Sequence, residues 1–224
     1  MKTINIFTGM ALGLALTSST GWTAEAGGAF SYKPPMRGAP AARIGGGTRG
    51  IGDQTLELVV LAPDHTGLTT KEQPTLYWYV SKPVPSKLEV TLINDDDIDP
   101  ELEEVVATPG TAGIQSIDLA KTGAKLKPDL EYRWFVSVVA DAGQRSNDIV
   151  ASGTIQRIKP EGTLKDKIAG ADDRALVRVY AEEGVWYDTI DTLSRLIEKS
   201  PDDAALKQQR AVLLEQVGLD VATN

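Results

Sequence analysis

The sequence predicts an all-β antiparallel sandwich followed by a short α-helical C-terminal region, and three observations carry that class. The first is a pair of aromatic runs. Pro74-Thr-Leu-Tyr-Trp-Tyr-Val80 puts Leu76, Trp78 and Val80 on one side of an extended chain, and Tyr132-Arg-Trp-Phe-Val-Ser-Val-Val139 does the same with Tyr132, Trp134, Val136 and Val138. Side chains alternate across a strand, so each run offers an apolar face that another layer must cover. The second is that seven short strand-like runs follow one another with turn signals, and no helical pattern, between them. The third is that after Pro160 the apolar spacing changes from two to about 3.6 residues.

Taken in order, the chain opens Met1-Lys2, runs apolar over residues 4–16 and then turns small and polar. That is the layout of a secretory signal peptide; the run is shorter than the roughly 20 residues a membrane-spanning helix needs. Ala24-Glu25-Ala26 fits the cleavage pattern, so residues 1–26 are read as the signal and the mature chain begins near Gly27. Residues 27–55 hold eight glycines and three prolines, and Lys33, Arg37, Arg43 and Arg49 face only Asp53, which reads as a flexible basic leader.

Residues 56–160 carry the strand runs: 56–61, 75–80, 88–93, a weak one near 104–107, 115–119, 132–140 and 149–158. Leu88, Val90 and Leu92 alternate with Glu89 and Thr91, a half-buried pattern, and Asn94-Asp-Asp-Asp-Ile-Asp-Pro100 reads as a loop tip. Leu126-Lys-Pro128 followed by Tyr132 has the form of a tyrosine corner, in which the tyrosine hydroxyl ties back to the preceding crossover. The stretch 126–146 resembles the later strands of a fibronectin type III module, which makes the expected sandwich immunoglobulin/fibronectin-III-like.

Residues 161–219 read as a three-helix cap docked on the sandwich, with 220–224 as a tail. Leu176, Val179 and Tyr180 share one stripe ending at Gly184; Trp186, Ile190, Leu193 and Ile197 make a second. Ser200-Pro201-Asp-Asp is a helix start, with a capping hydroxyl, proline in the first turn and acids at the positive end. Leu206, Leu213 and Val217 form the third stripe, stopped by Gly218. The spacing of Tyr180, Gly184, Leu193, Leu196 and Pro201 is similar to a tetratricopeptide repeat, but one and a half repeats make no solenoid groove.

Composition narrows the chemistry. The chain has no cysteine, which removes disulfides, thiol catalysis and thiolate metal sites. Its net charge of −8 disfavours nucleic acid, whose phosphates need clustered cations. Gly45-Gly-Gly-Thr-Arg-Gly50 matches the dinucleotide-binding pattern only formally, since no strand precedes it and no helix follows. His65, the single histidine, sits in the turn Pro63-Asp-His-Thr-Gly67 and reads as a surface residue. Asp95, Asp97 and Asp99 have calcium-loop spacing, yet Pro100 and Val106 occupy the positions where that loop needs glycine and glutamate. No cofactor or metal site is expected.

Read as a whole from about Arg37 to Leu219, the chain resembles a bacterial exported family known as domain of unknown function 928. The resemblance rests on Arg37-Gly-x-Pro, Gly45-Gly-Gly-Thr-Arg-Gly50, Gly67-Leu-Thr-Thr, Pro74-Thr-Leu-Tyr-Trp-Tyr-Val80, Pro109-Gly-Thr-x-Gly-Ile114 and Gly184-Val-Trp-Tyr-Asp188. It implies an exported protein without assigned activity and supplies no catalytic residues.

Two functional readings stand. One is a non-catalytic adaptor, periplasmic or secreted, that meets another envelope protein through Arg37, Arg43 and Arg49 of the leader and Tyr77 and Tyr79 on the second face of their strand. The other is a glycan-binding module or a hydrolase with a hidden carboxylate pair, in which Tyr77, Tyr79 and Phe135 stack on sugars. The alternative to surface exposure is that the helices cover these tyrosines. An aromatic-lined cleft with two carboxylates favours the glycan reading; the adaptor is the reading preferred.

Overall fold

In the computed structural model the period-two runs form strands where the alternation lies. The residues described are 31–35, 49–51, 54–84, 86–94, 99–106 and 110–221. The signal-peptide reading of 1–26 and most of the leader fall outside them. β1 (Arg49–Ile51) and β2 (Gln54–Leu56) form an antiparallel ribbon. β3 (Leu58–Val60), β5 (Thr75–Val80) and β8 (Gly113–Asp118) make a three-stranded antiparallel sheet in the order β3-β5-β8. β4 (Gly67–Thr69), β6 (Lys87–Asn94), β7 (Leu102–Val106), β9 (Glu131–Val139) and β10 (Ile149–Arg157) make the larger sheet, ordered β4-β10-β9-β6-β7.

One core serves both sheets. Leu76 and Trp78 of β5, Leu88, Val90 and Leu92 of β6, and Tyr132, Trp134, Val136 and Val138 of β9 are buried in a single apolar cluster. The Tyr132 hydroxyl accepts the Lys127 N–H at 3.1 Å, the tie that the Leu126-Lys-Pro128 spacing predicts. A short helix, α1 (Leu119–Thr122), follows β8 and is capped by Asp118, whose carboxylate accepts the Ala120 N–H.

The expected fold class is nevertheless wrong. The chain is of mixed α/β content, 31% helical and 32% strand, and not an all-β immunoglobulin- or fibronectin-like antiparallel sandwich. The larger sheet is itself mixed, because β4 pairs in parallel with β10, Gly67 opposite Ile155. Among the described residues four helices rather than three fill the region after Pro160: α2 (Gly162–Ala169), α3 (Asp173–Glu182), α4 (Trp186–Lys199) and α5 (Ala204–Glu215). α2 fully buries no residue, and its Leu164 and Ile168, one half-buried i, i+4 pair, are too short a stripe for sequence periodicity to detect. α4 buries the expected stripe of Trp186, Ile190, Leu193 and Ile197 and more besides: ten of its fourteen residues are buried, Trp186 to Ser194 without a break. Its first turns therefore lie inside the core, while Arg195, Glu198 and Lys199 stay exposed. Among the described residues no helix is long and apolar enough to cross a membrane.

Candidate functional site

β4 is only three residues long, yet it divides the two most polar regions near the core. Strand alternation sends Gly67 and Thr69 to one face and Leu68 to the other. On the first face a Cβ at Gly67 would lie 2.5 Å from the Tyr187 ring, so only glycine lets α4 come this close. Tyr187 uses that approach to accept the Trp134 Nε1–H at 2.8 Å and to donate to the Thr154 carbonyl at 2.9 Å. Its neighbour Trp186 donates to the Leu61 carbonyl at 2.8 Å. The first turn of α4 is thus bonded to both sheets.

The next turn brings in charge. Asp188 is fully buried; one carboxylate oxygen accepts the Thr70 N–H at 2.7 Å and the other the Thr70 hydroxyl at 3.3 Å. Asp191 accepts the Tyr77 hydroxyl at 3.0 Å on one oxygen and is ion-paired with Lys71 and, at 3.3 Å, Arg195 on the other. Burial pushes the Asp188 carboxyl above the ordinary aspartate range, against the opposing pull of Lys71 and of the Thr70 and Thr69 donors. Burial and then the Asp191 charge push the Tyr77 phenol well above its usual value, so it stays a donor. Each of the four carboxylate oxygens is engaged within the protein. The arrangement is a joint that fastens α4 to the loop after β4.

Gly184-Val-Trp-Tyr-Asp188 is far in sequence from Gly67-Leu-Thr-Thr and Pro74-Thr-Leu-Tyr-Trp-Tyr-Val80, yet all three meet at this joint.

On the opposite face Leu68 looks into a cleft of about 700 Å³, also lined by Pro35, Thr66, Asp129, Glu131, Gln156, Ile158, Lys159 and Glu161. Its floor is a row across three strands, because Leu68 pairs with Gln156 of β10 and Gln156 with Glu131 of β9. The Thr66 hydroxyl donates to Glu131 at 2.6 Å and fixes that carboxylate. Asp129, at the turn into β9, is the one non-glycine residue with positive φ among those described, at 62°. Aspartate tolerates this region better than most residues, but at a cost that the surroundings must hold in place. They do: the Asp129 N–H donates to the Arg157 carbonyl at 2.8 Å, and Gln156 donates to the Asp129 carbonyl at 3.0 Å. Among the described lining residues three are carboxylates and one, Lys159, is a cation.

Residues 31–35 reach this cleft by crossing the helices. Tyr32 is buried, stacked on His65 at 5.9 Å and edge-on to Trp186 at 5.1 Å. Its hydroxyl lies 2.9 Å from His65 Nε2, while His65 Nδ1 lies 3.2 Å from Asp64. The carboxylate on Nδ1 assigns the proton there, which leaves Nε2 to accept from Tyr32. His65, expected at the surface, is therefore covered by this segment, with 19% of its side chain exposed.

The residues singled out from sequence fare unevenly. Tyr77 and Tyr79 are both buried, at 5% and 8% exposure, and so offer a partner or a sugar nothing to stack on. For Tyr77 the reason is that α4 covers the second face of β5. Phe135 is half-buried. Arg37 and Arg43 lie outside the described residues; Arg49 opens β1, and its side chain falls outside the described part. Asp188, Asp191, Asp129 and Glu131 were not anticipated. The one sign in the sequence is the i, i+3 pair of acids set between Trp186, Ile190 and Leu193, the residues of the expected apolar stripe.

Compared with curated proteins, the chain finds no match. Compared with family models, residues 44–224 match the one described as Domain of Unknown Function (DUF928), which covers most of the chain. The joint and all of the cleft except Pro35 lie inside that match, and residues 31–35 precede it. This chain belongs to the DUF928 family.

Proposed function

We propose that the chain is a non-catalytic, exported adaptor of the cell envelope that seats an extended, positively charged segment of another protein in the cleft over Leu68, Gln156 and Glu131. The observation that carries this reading is the cleft's lining: among the described residues three carboxylates against one lysine, on a floor made by three hydrogen-bonded strands. A rigid floor with a carboxylate already oriented by Thr66 lowers the ordering cost of binding. The apolar lining is Pro35, Leu68 and Ile158, with no aromatic ring among the described lining residues, which favours a peptide over a stacked sugar. Export is supported by the apolar N-terminal stretch and its small-residue cleavage pattern.

The test is calorimetric titration with a panel of ten-residue peptides rich in Arg, Lys and Pro, against the same panel with Glu replacing the bases. The reading expects binding on the order of micromolar for the basic panel, weakened about tenfold by Glu131→Gln. Equal binding of the acidic panel, or binding of neutral oligosaccharides instead, refutes it.

A further inference from the structure

We infer that Tyr32 is a positioning residue for the cleft: seated in its notch, it holds Pro35 as one wall, so cleft occupancy and the seating of residues 31–35 strengthen each other. This rests on the cleft being the docking site proposed above.

The segment is anchored at both ends of a stiff span. At one end the Tyr32 N–H donates to Gln216 Oε1 at 2.6 Å, and its ring and hydroxyl are held by Trp186 and His65. The Lys33 N–H then donates to the Ala181 carbonyl at 2.9 Å. From there the chain has little freedom, since Pro34 and Pro35 each have φ locked by the ring, and Lys33 is restricted by the proline after it. Displacing Tyr32 therefore displaces Pro35.

The turn between α3 and α4 is shaped to receive this span. Gly184 has φ of 73°, and a Cβ there would lie 2.7 Å from the Lys33 carbonyl oxygen and 3.1 Å from Pro35 Cδ. Glycine at this position satisfies the backbone and the close approach together. Pro35 thus rests on Gly184 on one side and lines the cleft on the other. A ligand gripping Pro35 gains only when the segment is seated, and coupling of this kind is reciprocal.

The experiment measures wild type, Tyr32→Phe and Tyr32→Ala by titration with the basic peptides, and amide exchange of Tyr32 and Lys33 with and without peptide. Tyr32→Ala is expected to weaken binding about tenfold, while Tyr32→Phe, which keeps the ring, stays within roughly threefold of wild type. Peptide is expected to slow exchange of the Tyr32 and Lys33 amides in the wild type, a response that a purely structural role does not produce. Unchanged affinity in Tyr32→Ala together with peptide-insensitive exchange overturns the inference and leaves the adaptor reading standing. A wild-type protein that binds none of the basic peptides removes both.

Discussion

Two buried layers in this protein are held by opposite means. Between the sheets, Trp78 and Trp134 sit among Leu76, Val90, Leu92 and Val136, and packing dominates, with one hydrogen bond from Trp134 to Tyr187 at the edge of this layer. The Trp78 indole N–H has no hydrogen-bond partner among the described residues. Under α4, by contrast, Asp188 and Asp191 are as deeply buried, and all four of their oxygens are bonded. Apolar contact is non-directional, so it says how much is buried but little about orientation. With nine successive residues of α4 buried, its apolar stripe alone does not fix its rotation. Carboxylates three positions apart that must meet Thr70 on one side and Tyr77 with Lys71 on the other select a single rotation. The dry layer supplies stability, and the polar layer supplies register.

The largest effect that would sharpen this contrast is expected in the dry layer. Trp134→Ala removes a fully buried indole and the donor to Tyr187, and should cost about 3–5 kcal/mol in urea unfolding. A loss under about 1 kcal/mol would mean that the two sheets do not depend on that packing.

Next comes the polar layer. Asp191→Ala leaves the Tyr77 hydroxyl without its acceptor and Lys71 with only the longer pairing to Asp188, at 3.9 Å. Lys71 is about a third exposed and can turn to water, so a cost of roughly 2–3 kcal/mol is expected, below that of a wholly buried pair. The layers are distinguished by quality as well as size. Trp134→Ala should lower the melting temperature yet keep α4 in place, whereas Asp191→Ala should also loosen the Asp188 contact, seen as faster exchange of the Thr70 amide.

The smallest effect lies on the outer face of the large sheet, where Glu89 is gripped by Lys87 and Arg145, each at 2.6 Å. Hydrogen bonds from Arg145 and then Lys87 hold its carboxyl down at about 2. A carboxylate whose folded value is depressed stabilises the fold above its unfolded value and loses that contribution as pH falls toward the folded one. Glu89→Gln should therefore cost about 1 kcal/mol at pH 7, with the difference shrinking from about pH 4.5 down to about pH 2. A difference that persists at pH 2 would show that shape, and not charge, holds this corner.

Legibility in the sequence followed the range of each interaction. β5, β6 and β9 were readable because alternation is a local signal, and so was the Tyr132 tie, which spans five residues. β4 was not: three residues beginning with glycine carry no period, and its partner is a parallel strand far along the chain. The same holds for the joint. Asp188 and Asp191 look like solvent-facing acids until the loop that receives them is in place, and Tyr77 looks like a surface aromatic until α4 covers it. The cleft could not be read at all, because its floor combines single residues from three strands.

The parallel pairing of β4 with β10 also sets a timetable. Gly67 and its partner Ile155 are about ninety residues apart, and α4, which packs against β4, comes later still. As the chain leaves the ribosome, β4 has nothing to pair with and Tyr77 nothing to cover it until most of the polypeptide has emerged. Contacts of such long range close slowly, so refolding belongs in the millisecond-to-second range rather than in microseconds. The sheet of β3, β5 and β8 can close within the first part of the chain, but the edge of β4 and the second face of β5 stay uncovered until the end.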